Sequence, residues 1–91
     1  MKPLRIVCAA MFMDDGKIVT GIRHYSPDMR EVLRGLYGPG YHARVFEQGF
    51  ITNTGNFISR KLAWLVARSA GQINHTLGNE HNEELYSEHL Y

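Results

Sequence analysis

The segment Leu4 to Met13 is apolar in both phases of a β-strand, and this restricts the fold more than any other feature of the chain. Ile6, Cys8, Ala10 and Phe12 point one way, and Val7, Ala9, Met11 and Met13 the other. A strand with one face in water alternates apolar with polar. One that is apolar on both faces is central, or sets one face against another subunit. Asp14-Asp15-Gly16-Lys17 then reads as a hairpin turn, with glycine supplying the positive φ. Ile18 to Tyr25 returns as a second strand, in which Gly21 marks a close approach by another backbone or a ligand.

Ser26-Pro27-Asp28 is a helix start: a capping hydroxyl, a proline at the first helical position and an acid at the positive dipole end. Met29, Val32, Leu33 and Leu36 follow at helical spacing, and Gly38-Pro39-Gly40 ends the helix. A loop holding Tyr41 and His42 leads to a third strand, Arg44 to Thr52. Asn53-Thr54-Gly55-Asn56 is a turn, Phe57-Ile58 a short returning strand, and Ser59 the cap of a second helix from Arg60 to about Ala70, closed by Gly71. Leu62, Leu65, Val66, Ser69 and Ala70 are its expected inner face. Trp64 falls opposite, between Arg60 and Arg68 at i−4 and i+4. Residues 74–84 read as a polar loop, and residues 85–91 as an apolar segment that docks. The expected architecture is α+β: an antiparallel sheet of short strands packed with two helices, in a single domain spanning 1–91.

Ninety-one residues bury only roughly 60–65% of their unfolded surface. Chains of this size often gain stability by association, so a homo-oligomer, a dimer or an assembly of dimers, is expected. No apolar run approaches the roughly 20 residues of a membrane span. The apolar run near the N-terminus is rich in Val, Ile and Phe and ends in Asp14-Asp15-Gly16, which favours a strand over a signal peptide. Cys8 is the single cysteine, which excludes an intramolecular disulfide and a multi-cysteine zinc site, and a cytoplasmic protein is expected. Residues 1–73 hold ten Lys/Arg against five Asp/Glu, and residues 74–91 hold four Glu and no Lys/Arg. A mildly basic body with an acidic tail suits an anionic ligand, or docking of tail on body, and is too weakly charged for a general DNA binder.

Three constellations stand out. Arg23-His24, just before a helix start, combine a guanidinium and an imidazole with exposed helix N–H groups, a plausible phosphate site; a surface ion pair and a half-buried histidine are the plainer alternative. Gln48-Gly49-Phe50, followed by Thr52-Asn53-Thr54, offers amides, hydroxyls and an aromatic plane suited to a purine; alternatively Phe50 is core. Trp64 with Arg60 and Arg68 fits an interface, a stacking surface for a base, or packing under the C-terminal segment. The five histidines (24, 42, 75, 81 and 89) show no metal-site spacing, and no nucleophile elbow or phosphate-binding glycine loop occurs. The expectation is a binding protein with no catalytic residues, metal or cofactor.

Several segments in order resemble one family: Ile6-Val7-Cys8-Ala9-Ala10, Lys17 to His24, Glu47-Gln48-Gly49-Phe50-Ile51-Thr52 with Gly55-Asn56-Phe57 and Arg60, Ala70-Gly71-Gln72-Ile73, and Leu85 to Tyr91. Together they are similar to the first-described class of phage Thoeris anti-defence proteins. Gly35 to Arg44 has no counterpart in that pattern. The resemblance implies a sponge in the host bacterial cytoplasm. It would hold a cyclic ADP-ribose-type immune signal, uncleaved, between subunits of an oligomer, and so block effector activation. Some members also hold cyclic oligonucleotides at a separate site. Carried onto this chain, the implied contacts are Arg23, Arg60 and the Gln48–Thr54 stretch. Two other functions remain open: a small hydrolase of such a signal with His24 or Glu47 as acid–base, and a protein–protein inhibitor acting through the Trp64 face and the acidic tail.

Overall fold

In the computed structural model, which describes residues 3–75 and 83–90, the hairpin forms as its turn chemistry directs. Strand β1 (Ile6–Met13) pairs antiparallel with β2 (Ile18–Gly21) and with β3 (Val45–Thr52), and β3 pairs with β4 (Phe57–Ser59). The sheet order is β2-β1-β3-β4, so the strand that is apolar on both faces is an inner one. Helices α1 (Pro27–Tyr37) and α2 (Arg60–Ser69), a 3-10 turn at Tyr41–Arg44 and a short helix α3 (Ser87–Leu90) complete the order. The four-stranded antiparallel sheet with its helices is the expected α+β fold.

Register divides the sheet into two unlike faces. Ala9, Met11 and Met13 stand opposite Phe50, Gln48 and Val45 on the helix-covered face, where Ala9, Met11, Met13 and Phe50 are all fully buried. Met29 and Leu33 of α1, and Ala63, Trp64 and Ala67 of α2, close over them. On the outer face Cys8, Ala10 and Phe12 stand beside Ile51, Gly49 and Glu47. Two bulges, between Ile6 and Cys8 and between Phe12 and Met13, bend β1. The first is held by Gln72, whose amide oxygen accepts the Ile6 N–H at 2.8 Å while its NH2 donates to the Ile6 carbonyl at 2.9 Å.

Three expectations are corrected. Strand β2 stops at Gly21 rather than Tyr25, because α1 starts against it: a Cβ on Gly21 would lie 2.8 Å from the Ser26 hydroxyl and 3.0 Å from Met29 Cβ. Ser26 does not cap α1 with its side chain; its hydroxyl donates to Asp28 instead, at 2.6 Å. Helix α2 is rotated relative to expectation. Leu62 and Leu65 are exposed, whereas the small Ala63 and Ala67 meet the sheet and let the helix approach closely. Trp64 is only 5% exposed and lies beside His89, with ring centroids 5.2 Å apart. It therefore offers no surface for an interface: the C-terminal segment covers it.

That segment is anchored at several points. Leu85 is fully buried and donates its N–H to the Arg60 carbonyl at 2.9 Å. The His89 carbonyl accepts from Asn74 and His75, at 2.8 and 3.1 Å. Most of the expected polar loop lies outside the described residues. Among the described residues no helix is long and apolar enough to cross a membrane.

Candidate functional site

Ser59 ends β4 and caps α2, its hydroxyl accepting the Leu62 N–H at 3.3 Å. With no loop between strand and helix, Arg60 is held beside β3. Its Nη2 donates to Gln48 Oε1 at 2.6 Å, and its guanidinium carbon lies 4.7 Å from the centroid of the Tyr86 ring. Its Nε is buried and has no hydrogen-bond partner among the described residues. Among the described residues no carboxylate lies within ion-pair distance of this guanidinium, in contrast to Lys17 with Asp15 and Arg44 with Asp14. The first turn of α2 carries Arg60 and Lys61 and no acid, so both cations sit at the positive end of the helix dipole.

Glu47, Gln48, Ser59, Arg60, Lys61 and Glu84 line an open depression of about 320 Å³. Glu84 accepts the Tyr86 hydroxyl at 3.2 Å, which steadies the ring beneath the guanidinium. On the other side of Gln48, its NH2 reaches the Tyr25 hydroxyl at a long 3.5 Å. Tyr25, His42 and Tyr41 form a stacked row, with centroids 4.9 and 4.3 Å apart and planes within about 30°. Tyr25 has φ +58°, a left-handed conformation uncommon outside glycine and asparagine. The corner thus presents a half-buried cation, an amide and aromatic rings, a set suited to an anionic group joined to a flat ring.

The residues picked from sequence divide sharply. Gln48 and Arg60 are brought together. Arg23 lies exposed in the turn between β2 and α1. Arg68 is exposed near the end of α2, but without an exposed Trp64 beside it.

His24 is a strut rather than a ligand. Its Nε2 donates to the Gly49 carbonyl at 2.8 Å, which leaves Nδ1 as the acceptor for the Ser87 hydroxyl, also at 2.8 Å. The Ser87 oxygen in turn accepts the His24 N–H at 3.1 Å. Burial lowers the imidazole pKa, the nearby Arg60 charge acts in the same direction, and the Gly49 bond opposes them. With both ring nitrogens engaged, His24 is not placed to act as an acid–base.

Gly49 offers no ligand access either. A Cβ there would run into the Ile58 carbonyl and sit 2.6 Å from Phe57 Cζ, so the space is already filled by β4. Phe50 is fully buried and packs edge-on against His24 at 4.9 Å, as its core alternative had it. Thr52 is buried and shares a 2.8 Å hydrogen bond with Thr54. Asn53 ties down the N-terminal segment, accepting from the Arg5 N–H at 3.0 Å and donating to the Pro3 carbonyl at 3.1 Å. Strand alternation explains the split: six of the proposed contacts fall within one stretch, whose neighbours point to opposite faces.

Tyr25, His42, Glu84 and Tyr86 belong to the corner but were not singled out from sequence. Tyr86 had a usable signal, since it lies in the apolar segment expected to dock. Among the described residues no group of three or more His, Cys, Asp or Glu side chains could hold a metal.

No curated protein and no solved structure matches the chain. The family model of the phage T4 y16D protein matches residues 5–91, and the chain belongs to that family of phage proteins.

Proposed function

We propose that this phage protein is an anti-defence sponge: it binds a cyclic nucleotide immune signal of the cyclic ADP-ribose type, or a cyclic oligonucleotide, and holds it without cleavage. The observation that carries the reading is Arg60: on the rim of an open depression, stacked on Tyr86, bonded to a neutral amide, and without a carboxylate partner among the described residues. Arg60 and Lys61 line an open depression, and no carboxylate among the described residues pairs with the guanidinium, so its accessible edge is free to take an anionic acceptor. A phosphate takes the free guanidinium edge, and Tyr25, His42 and Gln48 offer ring faces and an amide to an attached base. The resemblance to phage sponges supports the same ligand class, and membership of a phage protein family supports a role in the infected host cytoplasm.

Sequestration at roughly nanomolar Kd requires about −12 kcal/mol. A depression of about 320 Å³ is near the lower end of ligand pockets, which run from about 300 to 1,000 Å³. A dinucleotide-sized ring would stand proud of it, so tight holding draws on a further wall. The burial of Trp64 removes the main support for a protein–protein inhibitor.

Catch-and-release tests the reading. Purified protein is mixed with cyclic ADP-ribose isomers and cyclic trinucleotides, filtered, then heat-denatured. The expected result is loss of one ligand from the filtrate and its intact return, with capture by Arg60→Ala reduced at least about 30-fold. An altered ligand would make the protein an enzyme, and no capture would end the proposal.

A further inference from the structure

The Arg60 depression has walls of opposite sign. Arg60 and Lys61 supply cations, and Glu47 of β3 and Glu84 of the C-terminal segment supply carboxylates, all four on its lining. The shortness of β4 makes room for them. It pairs with β3 only from Gly49 to Ile51, so at Glu47 and Gln48 the edge of β3 away from β1 has no strand beside it among the described residues. Neighbours on a strand point to opposite faces, yet at this open edge both border the same depression. Both carboxylates are half-buried, and neither forms an ion pair among the described residues. Glu84 Oε2 accepts the Tyr86 hydroxyl at 3.2 Å, which holds that carboxylate at the rim.

We propose that Glu47 and Glu84 set the ligand class of this site: a nucleotide whose ribose hydroxyls are free, in preference to its 2′-deoxy and 2′-phosphate counterparts. The inference rests on the Arg60 corner being a nucleotide site. An ionised carboxylate has only acceptors, so it needs O–H or N–H donors from what it meets, and it repels a second anion. A bare phosphate or a polyanion therefore satisfies the cationic wall and is opposed by the other. A ribonucleotide satisfies both, with its phosphate on Arg60 and its sugar hydroxyls on the carboxylates. Dinucleotide sites pair a carboxylate with the ribose 2′-hydroxyl for the same reason. The rival donor, an amino group on the base, is drawn to the other side of Gln48, where Tyr25 and His42 offer ring faces. A 2′-phosphate both removes the donor and sets a charged group against the two carboxylates.

Equilibrium dialysis of the full chain tests this. The probes are cyclic ADP-ribose and cyclic triadenylate, each beside its 2′-deoxy form, and cyclic ADP-ribose 2′-phosphate. The expected preference is about tenfold for the ribo over the deoxy form, smaller than in a fully buried site because water reaches the rim, and at least about tenfold against the 2′-phosphate. Glu47→Gln and Glu84→Gln combined lower the ribo-to-deoxy ratio to about threefold, since a neutral acceptor holds about half the energy of an ionised one, and they improve binding of the 2′-phosphate. Arg60→Lys weakens ribo and deoxy forms alike and keeps the ratio. A wild type that binds both sugars equally, with capture still dependent on Arg60, would overturn this inference and leave the sponge reading intact. A ratio that the paired glutamine substitutions do not move would do the same. Binding of none of the probes would overturn both.

Discussion

Two arginine corners of this molecule look alike in sequence and differ in what they leave unmade. At one, Arg44 Nε donates to both oxygens of Asp14, at 2.8 and 2.7 Å, and the guanidinium lies 5.0 Å from the Tyr37 ring centroid. Tyr37 in turn donates to Asp15, whose pKa is lowered to about 2, chiefly by the Lys17 N–H. Each charge there has an opposite charge, and the cluster is complete. At the other corner Arg60 also lies over a tyrosine and also has a partner, but the partner is a neutral amide and its Nε has none among the described residues. Stacking does not distinguish the two, although Arg44 is exposed and Arg60 half-buried. What distinguishes them most is whether a carboxylate among the described residues pairs with the cation.

The sharpest way to break this contrast is to exchange the roles. Arg60→Ala is expected to lower ligand capture at least about 30-fold, by removing charge-assisted bonds of about 1.5–3 kcal/mol each. Arg60→Lys recovers only part of it, since the planar fork is lost. Equilibrium dialysis measures both, and undiminished capture would make Arg60 structural.

Next in size, His24→Ala should cost about 2 kcal/mol in urea unfolding, because Ser87 and the Gly49 carbonyl lose their partner. It should also change the pH dependence. The folded state resists protonating this imidazole, whereas the unfolded chain protonates near pH 6.5. Its contribution is therefore flat above about pH 7, and stability falls as pH drops below about 6.5. His24→Ala removes that share of the slope; an unchanged profile would show that the ring is not held neutral.

Tyr86→Ala is a smaller perturbation, expected to weaken capture by about fivefold through loss of the cation–π floor. Smallest of all, Arg44→Ala should leave capture unchanged and shift Tm only slightly, in a way that about 0.5 M salt erases. A loss of capture in Arg44→Ala would erase the distinction between the corners.

Much of the fold was legible because local chemistry and long-range packing agree. The Asp14-Asp15-Gly16-Lys17 turn, the proline-led start of α1, and the Ser59 cap each act within a few residues. The rotation of α2 was not legible. Periodicity favours Leu62 and Leu65 as the buried stripe, but the sheet accepts Ala63 and Ala67 because they are small, and Trp64 is buried by residues about 25 positions later. The site was read in halves for a similar reason. Gln48 and Arg60 have side chains whose chemistry announces itself. By contrast Tyr86 joins them only through the docking of Leu85, and Tyr25 only through a left-handed turn. The Gln48–Thr54 stretch misled because function was assigned to contiguous residues, whereas a strand deals them alternately to two environments.

The Gln72 clasp on Ile6 carries a kinetic consequence. It joins positions 66 residues apart, and the His24–Ser87 bond joins positions 63 apart. Contacts of such span make high contact order, and they slow the search for the native topology. During synthesis β1 and β2 leave the ribosome early and form a hairpin, but the bulge in β1 stays unclasped until residue 72 emerges, and the core stays open until Leu85 and Leu90 follow. The apolar face of the early hairpin is therefore exposed until the segment from Gln72 to Leu90 has followed, and the nascent chain is most prone to aggregate in that interval.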